Sequence, residues 1–323
     1  MVLTLPYYKE QQVSDKPVLL IDLLNLYCRC FSSIPLTNDD GEHVGGFYGS
    51  LNALQSYINK FSPSECIIAW EGAGSSQKRR KKLQDYKSGR KMVGMRRGFE
   101  TSDETEKEAF ARQLGALKEA MEFLPLKQVA VQYLEADDVI AYMCKNTIRD
   151  RKKIIVSTDR DYLQLVDENT SVFRPVKTKT NKQGEFIDLE WMHQKENIHP
   201  PNYALLKAVV GDKSDNIQGV KGIGEKTARN QIHLLWDNDK SYDAGDFIDW
   251  AKGRSEKKYQ KYVENEKLIK LNYSVVQLQE LEISMTAINA IDNSYKFRIN
   301  LLNENVSPSN LDNWVASFSI LKN

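Results

Sequence analysis

The chain has 323 residues, 41% of them hydrophobic and 28% charged, which suggests about two domains with a full-sized core. No run approaches the roughly 20 apolar residues of a membrane helix, so a membrane-spanning protein is excluded. The first 17 residues lack a basic stretch followed by an apolar one, so no secretory signal is expected. The net charge of +1 hides segments of very different charge, since residues 78–97 hold ten Lys or Arg and a single acid, Asp85. The four cysteines are too scattered for a disulfide framework or a zinc site and fit reduced thiols in the cytoplasm.

Short apolar runs alternate with helical patterns in the first half of the chain. Four such runs, short and rich in β-branched residues, are predicted to be buried strands, at residues 18–21, 66–70, 129–133 and 154–158. Residues 102–124 carry the clearest helical period, with Thr101 and Glu104 as a capping box and Pro125 as the stop. Strands that alternate with helices predict an α/β fold whose mostly parallel central sheet is flanked by helices on both faces.

The pattern changes after about residue 175. Residues 173–187 predict a hairpin with a polar tip. The chain beyond it is predicted to be helical, at residues 201–210, 225–236 and in amphipathic stretches between about 245 and 275. We therefore expect an α/β core at residues 1–187, with the first 16 residues as a loose leader, and a helical region at residues 188–323.

Carboxylates follow all four predicted strands. In open α/β sheets, ligands bind beyond the carboxyl ends of the strands, so these acids are expected to converge on one crevice. They are Asp22, Glu71, Glu135, Asp137, Asp138, Asp159 and Asp161. A simpler explanation exists for residues 135–138 alone, because acids at the start of a helix are stabilised by the helix dipole. That explanation does not account for acids at the ends of four separate strands.

Crowded carboxylates raise one another's pKa values and destabilise a fold unless cations neutralise them. Oxygen ligands without nearby His or Cys favour Mg²⁺ or Mn²⁺ over zinc. Two such ions about 3.5–4 Å apart can hold the attacking and leaving oxygens of a phosphodiester. The acids therefore predict metal-assisted phosphodiester hydrolysis.

A glycine-rich loop at residues 219–228 follows a second acidic segment. In that segment Asp212 and Asp215 are three apart and would share a face on a helical turn, although alone it is a common turn or capping sequence. The loop does not fit an ATP-binding P-loop, because Glu225 stands where a lysine should follow Gly224. Its glycines allow the backbone to approach a phosphate, with charge added by Lys221, Lys226 and Arg229. Such a contact positions a nucleic acid without reading its bases.

Residues 72–98 are polar, contain glycine and are very basic. A solvated charged surface is the usual explanation of such a run. Here the run follows Glu71 directly and places Tyr86 beside Lys87 and Arg90, a combination of stacking and charge that suits single-stranded nucleic acid. Its composition predicts a segment that orders only over its substrate.

These segments together resemble the flap endonuclease / 5′–3′ exonuclease family, which includes the 5′-nuclease domain of bacterial DNA polymerase I and stand-alone bacteriophage enzymes. The matching segments, in the family's order, are LLIDLLNLYCRCF (19–31), YKSGR (86–90), YLEADDVIAYM (133–143), VSTDRDYLQLV (156–166) and GDKSDNIQGVKGIGEKTA (211–228). The last two are highly specific together. The length of the chain and the segment at 262–276 are most similar to the stand-alone phage members, of the RNase H type in T-even-like phages.

The resemblance implies a PIN-like core and assigns roles to the acids. A first metal site would be formed by Asp22, Glu135, Asp137, Asp159 and Asp161, with Asp138 and Glu71 close by. Asp212 and Asp215 would complete a second site. Many relatives carry Asp where this chain has Glu71, whose reach is one methylene longer.

The resemblance also implies nucleic-acid contacts. Residues 72 to about 107 would form an arch in which Lys87 and Arg90 stabilise the charge that develops on the scissile phosphate, and Tyr86 would stack on a base. Residues 205–236 would form a helix-three-turn-helix motif that holds the duplex, with a bound K⁺ at the glycine hairpin. Its contacts would come from Lys221, Gly222, Gly224, Lys226 and Thr227.

The implied function is that of a Mg²⁺-dependent structure-specific 5′ nuclease, with Mn²⁺ as a substitute and with Lys87, Arg90 and Asp159 as catalytic residues. Its substrates would be 5′ flaps, forked or nicked duplexes and RNA–DNA hybrids in replication and repair. The expected protein partner is a single-strand DNA-binding protein or a sliding clamp. The protein is expected to be a monomer without a membrane association. It would act in the cytoplasm, that of a bacterial host if it is phage-encoded. Two alternatives stay open, a PIN-like ribonuclease and a catalytically inactive module that binds flap DNA.

Overall fold

A six-stranded sheet forms the centre of the computed structural model, which describes residues 16–89, 94, 104–176, 184–237 and 240–296. Its strands are β1 (Val18–Asp22), β2 (Glu65–Ala69), β3 (Lys127–Val129), β4 (Lys153–Val156), β5 (Thr170–Arg174) and β6 (Glu185–Ile187). They are ordered β3-β2-β1-β4-β5-β6, and all neighbours are parallel except β5 and β6. The predicted mostly parallel sheet and its antiparallel pair at residues 173–187 are confirmed, although the tip at residues 177–183 lies outside the described residues.

Helices cover both faces of the sheet. The helices of this part are α1 (Leu23–Ser33), α2 (Gly45–Phe61), α3 (Gln77–Lys82), α4 (Glu106–Met121) and α5 (Ala136–Tyr142). Successive strand residues point to opposite faces, so Leu19 and Ile21 pack in one apolar cluster with residues of α1, α2 and α4. Val18 and Leu20 pack in a second cluster with α5 and with the C-terminal helices. Burial on both faces explains why the strands are apolar almost throughout.

The chain after residue 188 is mostly helical, as predicted. Its helices are α6 (Leu189–Trp191), α7 (Tyr203–Val210), α8 (Glu225–Gln231), α9 (Ala244–Lys252), α10 (Lys257–Glu264), α11 (Glu266–Val276) and α12 (Met285–Lys296). A two-stranded pair, β7 (Gly211–Asp212) and β8 (Ile217–Gln218), lies between α7 and α8. Leu205, Phe247 and Ile291 belong to the same apolar cluster as the second face of the sheet. Within the described ranges, no helix has the length and apolar character needed to cross a bilayer.

The helix predicted at residues 102–124 is shorter at both ends, and its capping pair was wrong. The helix α4 begins after Thr105, whose hydroxyl accepts the backbone N–H of Glu108 while the Glu108 carboxylate accepts the backbone N–H of Thr105. Thr101 lies outside the described residues, and the Glu104 carboxylate binds Arg112 instead, at 2.8 and 2.7 Å. The same threonine-to-glutamate spacing occurs twice in succession, so the spacing alone could not decide between them.

Candidate active site

The carboxyl edge of the parallel strands brings predicted acids together. Asp22 is the last residue of β1 and pairs in register with Ala69 of β2, while the preceding Ile21 pairs with Val156 of β4. Glu71 therefore follows β2 at the same edge as Asp22, and the segment that contains Asp159 follows β4 there. The register places the acids where ligands of open α/β sheets bind.

Asp22 is almost fully buried, and its environment links it to other acids. One carboxylate oxygen accepts the backbone N–H of Asn25 at 3.1 Å, and the other accepts the hydroxyls of Ser157 and Tyr162, each at 3.2 Å. The pKa of Asp22 is raised to about 6, mainly by burial and also by the charges of Asp159 and Asp137, against the Asn25 hydrogen bond. Asp22 is therefore close enough to both aspartates to share one electrostatic environment.

Other acids at this edge also have raised pKa values. Burial raises the pKa of Glu71 to about 7, and the charge of Glu135 adds to the rise. Burial likewise raises the pKa of Asp161 to about 7, with the charge of Asp159 as the next cause, and the pKa of Asp159 itself is raised. A bound divalent cation would reverse these shifts by stabilising the charged forms.

Arg79 neutralises the acids that begin α5, a role that the sequence did not reveal. Its side chain, on α3, is 9% exposed. The guanidinium donates to Glu135, to both oxygens of Asp137 at 3.0 Å and to Asp138 at 2.8 Å. Burial would raise the pKa of Asp137, but Arg79 and Lys87 hold it below its ordinary value, whereas burial keeps the pKa of Asp138 raised, at about 6.

Lys87 reaches the same acids. Its Nζ donates to the Glu135 carboxylate at 2.8 Å, and its backbone N–H donates to the carbonyl of Asp215 at 2.8 Å. Burial lowers the pKa of Lys87, but the charges of Glu135 and Asp137 outweigh it, so the net pKa is raised and the side chain stays cationic. The structure thus brings Lys87 into the predicted site, whereas its predicted companion Arg90 lies outside the described residues.

Tyr86 is placed differently from the expectation that it stacks on a base. The residue is 2% exposed, packs with Ala204, Ile217 and Val275, and donates its hydroxyl to Glu135 at 3.0 Å. In this arrangement neither ring face is open to a nucleobase. Arg79 and Lys87 of the same segment lie over the ring. The buried apolar neighbours named above are more than 100 residues away along the chain, so the local pattern of aromatic and basic residues could not show them.

Lys207 joins the second acidic segment to the first. Its Nζ, on α7, donates to Asp161 and lies 2.6 Å from Asp212. Burial would raise the pKa of Asp212, but Lys207 outweighs it and lowers that pKa to about 2. The charge of Asp215 contributes to the raised pKa of Asp159, so this segment faces the same crevice.

Asp212 and Asp215 do not lie on a helical turn, contrary to the expectation. Gly211 ends α7 with φ at +80°, a conformation that suits glycine, and the chain then enters the β7–β8 pair. Asp212 accepts the backbone N–H of Ser214 at 2.7 Å, and Asp215 lies in the turn between the two strands.

The donor chemistry of the crevice fits a hard divalent cation, because the side chains are carboxylates and most of them are buried. As they stand, no three Asp, Glu, His or Cys side chains of the described part of the chain are arranged to hold a metal ion. The carboxylates bind Arg79, Lys87 and Lys207 instead. The metal ligands therefore stay a prediction, and these cationic side chains would have to move for an ion to bind.

The glycine loop is exposed beside the C-terminal end of α7. The backbone N–H of Val220 donates to the carbonyl of Val209 at 2.8 Å and ties the loop to that helix. Of the predicted contact residues, Thr227 is half-buried and the others are exposed, namely Lys221, Gly222, Gly224 and Lys226. Arg229 is instead paired with Glu196 and Glu225, so its charge is already compensated.

The helix α3 is fixed by a segment for which the sequence offered no role. The Lys82 Nζ donates to the carbonyl of Ser274 and to the carboxylate of Glu282, both at 3.3 Å. Lys78 lies 3.5 Å from the same carboxylate. The last turn of α11 and the segment after it therefore position the helix that carries Arg79.

Comparison with known families finds two models that together match most of the chain. The model of the 5′–3′ exonuclease N-terminal resolvase-like domain matches residues 17–197, and that of the 5′–3′ exonuclease C-terminal SAM fold matches residues 198–293. Among curated proteins, the thermostable DNA polymerase I of Thermus caldophilus is 33% identical over 213 residues, or 65% of this chain and 23% of the polymerase. The chain thus spans about a quarter of the length of this relative.

Solved structures share the fold. The bacteriophage T5 5′-exonuclease with bound divalent zinc ions is 24% identical, with a TM-score of 0.65 over 87% of this chain and 97% of that one. The bacteriophage T5 flap endonuclease in a complex with DNA and metal ions is 22% identical, with a TM-score of 0.62 over 95% of this chain and 100% of that one. At this level of identity the likeness establishes the architecture of the chain, an α/β sheet followed by a helical SAM-like part.

Proposed function

The chain belongs to the 5′–3′ exonuclease family, and from that premise we propose that it is a divalent-metal-dependent, structure-specific 5′ nuclease. It would hydrolyse 5′ DNA flaps and RNA primers paired with DNA, leaving a 5′-phosphate and a 3′-hydroxyl. One observation carries the proposal. Acids from the ends of β1, β2 and β4 and from the start of α5 influence one another's pKa values in a single crevice, beside a basic helix.

The metal ligands are assigned to the acids of this crevice. We assign them to Asp22, Glu71, Glu135, Asp137, Asp138, Asp159, Asp161, Asp212 and Asp215. Mg²⁺ is the expected ion, with Mn²⁺ as a substitute, because the donors are carboxylate oxygens. Two ions held there would supply Lewis-acid stabilisation of the phosphate and a lower pKa for an attacking water. The metal ions named for the two T5 structures support a divalent-metal site in this fold.

Lys87 is the residue best placed to bind the reacting phosphate. Its side chain is 17% exposed and reaches Glu135, so a phosphate that approaches this acid through bound cations would come within its range. The raised pKa of Lys87 keeps it positive near neutral pH, as stabilisation of developing negative charge requires. Arg90 is proposed to act beside it, on the resemblance alone.

The duplex is proposed to bind where α7, the β7–β8 pair, the glycine loop and α8 form a helix-three-turn-helix. Exposed Lys221 and Lys226 would contact phosphates, and Gly222 and Gly224 would allow close approach of the backbone. Lys261 adds charge here, since its Nζ lies 3.0 Å from where a side chain on Gly222 would begin. A K⁺ ion at this hairpin, a single-strand DNA-binding protein or clamp as partner, and a monomeric state are further parts of the proposal.

Cleavage of a labelled 5′ flap, with and without Mg²⁺ and mapped to the nucleotide, tests the function. We expect cleavage near the junction only when Mg²⁺ is present, with product ends that a ligase can join. Preferential cleavage of single-stranded RNA would support the PIN-like ribonuclease instead. Flap binding in EDTA without cleavage in Mg²⁺ would support the inactive binding module.

A further inference from the structure

Tyr133 has a backbone conformation that its side chain disfavours. Its φ is +65°, in the left-handed region that bulky residues rarely enter. The other described residues that combine a side chain with positive φ are Ser62, Lys87, Asn197 and Asn216. Asparagine tolerates this region, Ser62 ends α2, and Lys87 lies in the acidic crevice. Tyr133 is the one aromatic residue among them, and strain of this kind concentrates at functional sites.

Packing does not explain why a tyrosine stands at this position. The residue is 50% exposed, which makes it the most exposed aromatic side chain in the described part of the chain. A glycine would adopt the same backbone without strain. Half of the tyrosine therefore faces solvent at a strained position.

The loop between β2 and α3 holds the backbone of Tyr133 and contacts one edge of its ring. The backbone N–H of Tyr133 donates to the carbonyl of Ala73 at 2.9 Å, and that of Gly72 donates to the carbonyl of Leu134 at 3.0 Å. The Tyr133 Cδ1 lies 3.1 Å from where a side chain on Gly74 would begin, so the ring rests against that glycine. One part of the ring is thus supported by protein, and the rest faces solvent.

The position of Tyr133 connects it with the acidic crevice. It precedes the buried Glu135 by two residues, and the supporting loop begins directly after Glu71. The same loop leads into α3, where Arg80 and Lys81 are exposed. An open aromatic ring supported by a loop that leads to exposed cations offers both the stacking and the charge that bind single-stranded nucleic acid.

We propose that Tyr133 is a stacking residue for a nucleobase of the single strand whose phosphate is bound at the acidic crevice. The proposal rests on the proposed function and gives Tyr133 the role that the sequence predicted for the buried Tyr86. The ring suits this role because stacking needs an open π-face and does not depend on base identity. A ring whose backbone is already fixed also loses less entropy on binding.

Three substitutions at Tyr133 separate the effect of the aromatic ring from the effect of the backbone strain. Tyr133→Phe keeps both, Tyr133→Leu keeps bulk and strain but removes the ring, and Tyr133→Gly removes both. The probe is a 5′-flap DNA that carries 2-aminopurine at the flap nucleotide next to the junction, titrated in EDTA so that no cleavage occurs. Phe186→Leu is the control, because Phe186 is an exposed aromatic residue on the edge strand β6.

We expect the Leu and Gly variants to bind the flap roughly 5- to 100-fold more weakly than wild type and to lose the stacking-dependent quenching of 2-aminopurine. The Phe variant and the Phe186→Leu control should bind and quench as wild type does. The Gly variant should also melt about 1–3 °C higher, because the strain is relieved, so that stability and binding change in opposite directions.

Failure of the stacking role and failure of the proposed function would give different results. A Leu variant that binds and quenches like the wild type would overturn the stacking role while leaving the nuclease proposal intact. A wild-type protein that neither binds nor cuts the flap would overturn the proposed function and the stacking role with it.

Discussion

The two halves of the acidic crevice are neutralised by cations from different parts of the chain. In one half, Glu135, Asp137 and Asp138 bind the guanidinium of Arg79 on α3. In the other, Asp161 and Asp212 bind the ammonium of Lys207 on α7. Both helices belong to segments that we expect to contact nucleic acid, so each half is held by an element that substrate would also engage.

The halves also differ in how completely they are neutralised. The planar guanidinium bonds three carboxylates at once, whereas the ammonium of Lys207 acts as a point charge between two. Yet each half retains a carboxyl whose pKa stays raised by burial, Asp138 at about 6 and Asp161 at about 7. The comparison teaches that the protein cations do not fully offset the effect of burial in either half, although Lys87 adds a second cation at Glu135. A further cation in each half fits these raised pKa values.

The largest expected effect comes from Asp159, whose pKa is raised by burial and influenced by groups of both halves, Lys207 and Asp137 among them. Asp159→Asn should lower the cleavage rate at least about 10³-fold, since it removes a ligand charge from both halves. Single-turnover cleavage of a flap measures the rate, and a gel-shift titration in EDTA should show nearly unchanged binding. Glu168→Gln, at an exposed acid, is the control. A near wild-type rate for the Asn variant would refute the metal assignment.

Lys87 should show the next largest effect. Lys87→Ala should slow the single-turnover rate by about 10²-fold or more, because it removes a cation aimed at the developing charge of the phosphate. Lys118→Ala, at an exposed position of α4, should leave the rate within a few-fold of wild type. Equal rates for the two variants would show that Lys87 contributes only general surface charge.

Replacing each of the two neutralising cations by glutamine, in separate variants, compares the halves directly. Arg79→Gln leaves buried carboxylates without their counter-charge and should lower the metal-free free energy of unfolding by about 3–5 kcal/mol. Lys207→Gln should cost less, because it binds fewer carboxylates and Asp212 is only partly buried. Urea unfolding in EDTA and in Ca²⁺ measures both, and Ca²⁺ should restore more stability to the Arg79 variant. If both variants lost the same free energy of unfolding and Ca²⁺ did not restore it, the claim that Arg79 and a divalent ion both neutralise these carboxylates would be contradicted.

The pH dependence of stability should be the smallest effect. The raised pKa values of Asp22, Glu71, Asp138 and Asp161 mean that the folded chain binds more protons than the unfolded chain between about pH 4.5 and 7. The metal-free free energy of unfolding should therefore fall as pH rises through this window. Urea unfolding at pH 5.5 and 7.0 in EDTA tests the sign, and saturating Mg²⁺ should flatten the slope. Stability that rises with pH in EDTA would be the opposite result.

The sequence predicted the acids better than their partners. Asp22, Glu71 and Asp159 could be placed together because parallel strands end at one edge, a rule that needs only the strand positions. Arg79 could not be chosen from a run of adjacent cations, since the direction of its side chain depends on how α3 is anchored near Glu282. Tyr86 was misjudged for the same reason, because the residues that bury it belong to the helical region.

The position of a bound ion tests the account most directly. Crystals soaked in Mn²⁺ should show anomalous scattering peaks at bonding distance from Asp159 and its neighbouring carboxylates, with Arg79 and Lys207 turned away from the acids. A crevice without any peak at saturating Mn²⁺, in which Arg79 still binds Glu135 and Asp138, would contradict the claim that these carboxylates exist to hold divalent ions.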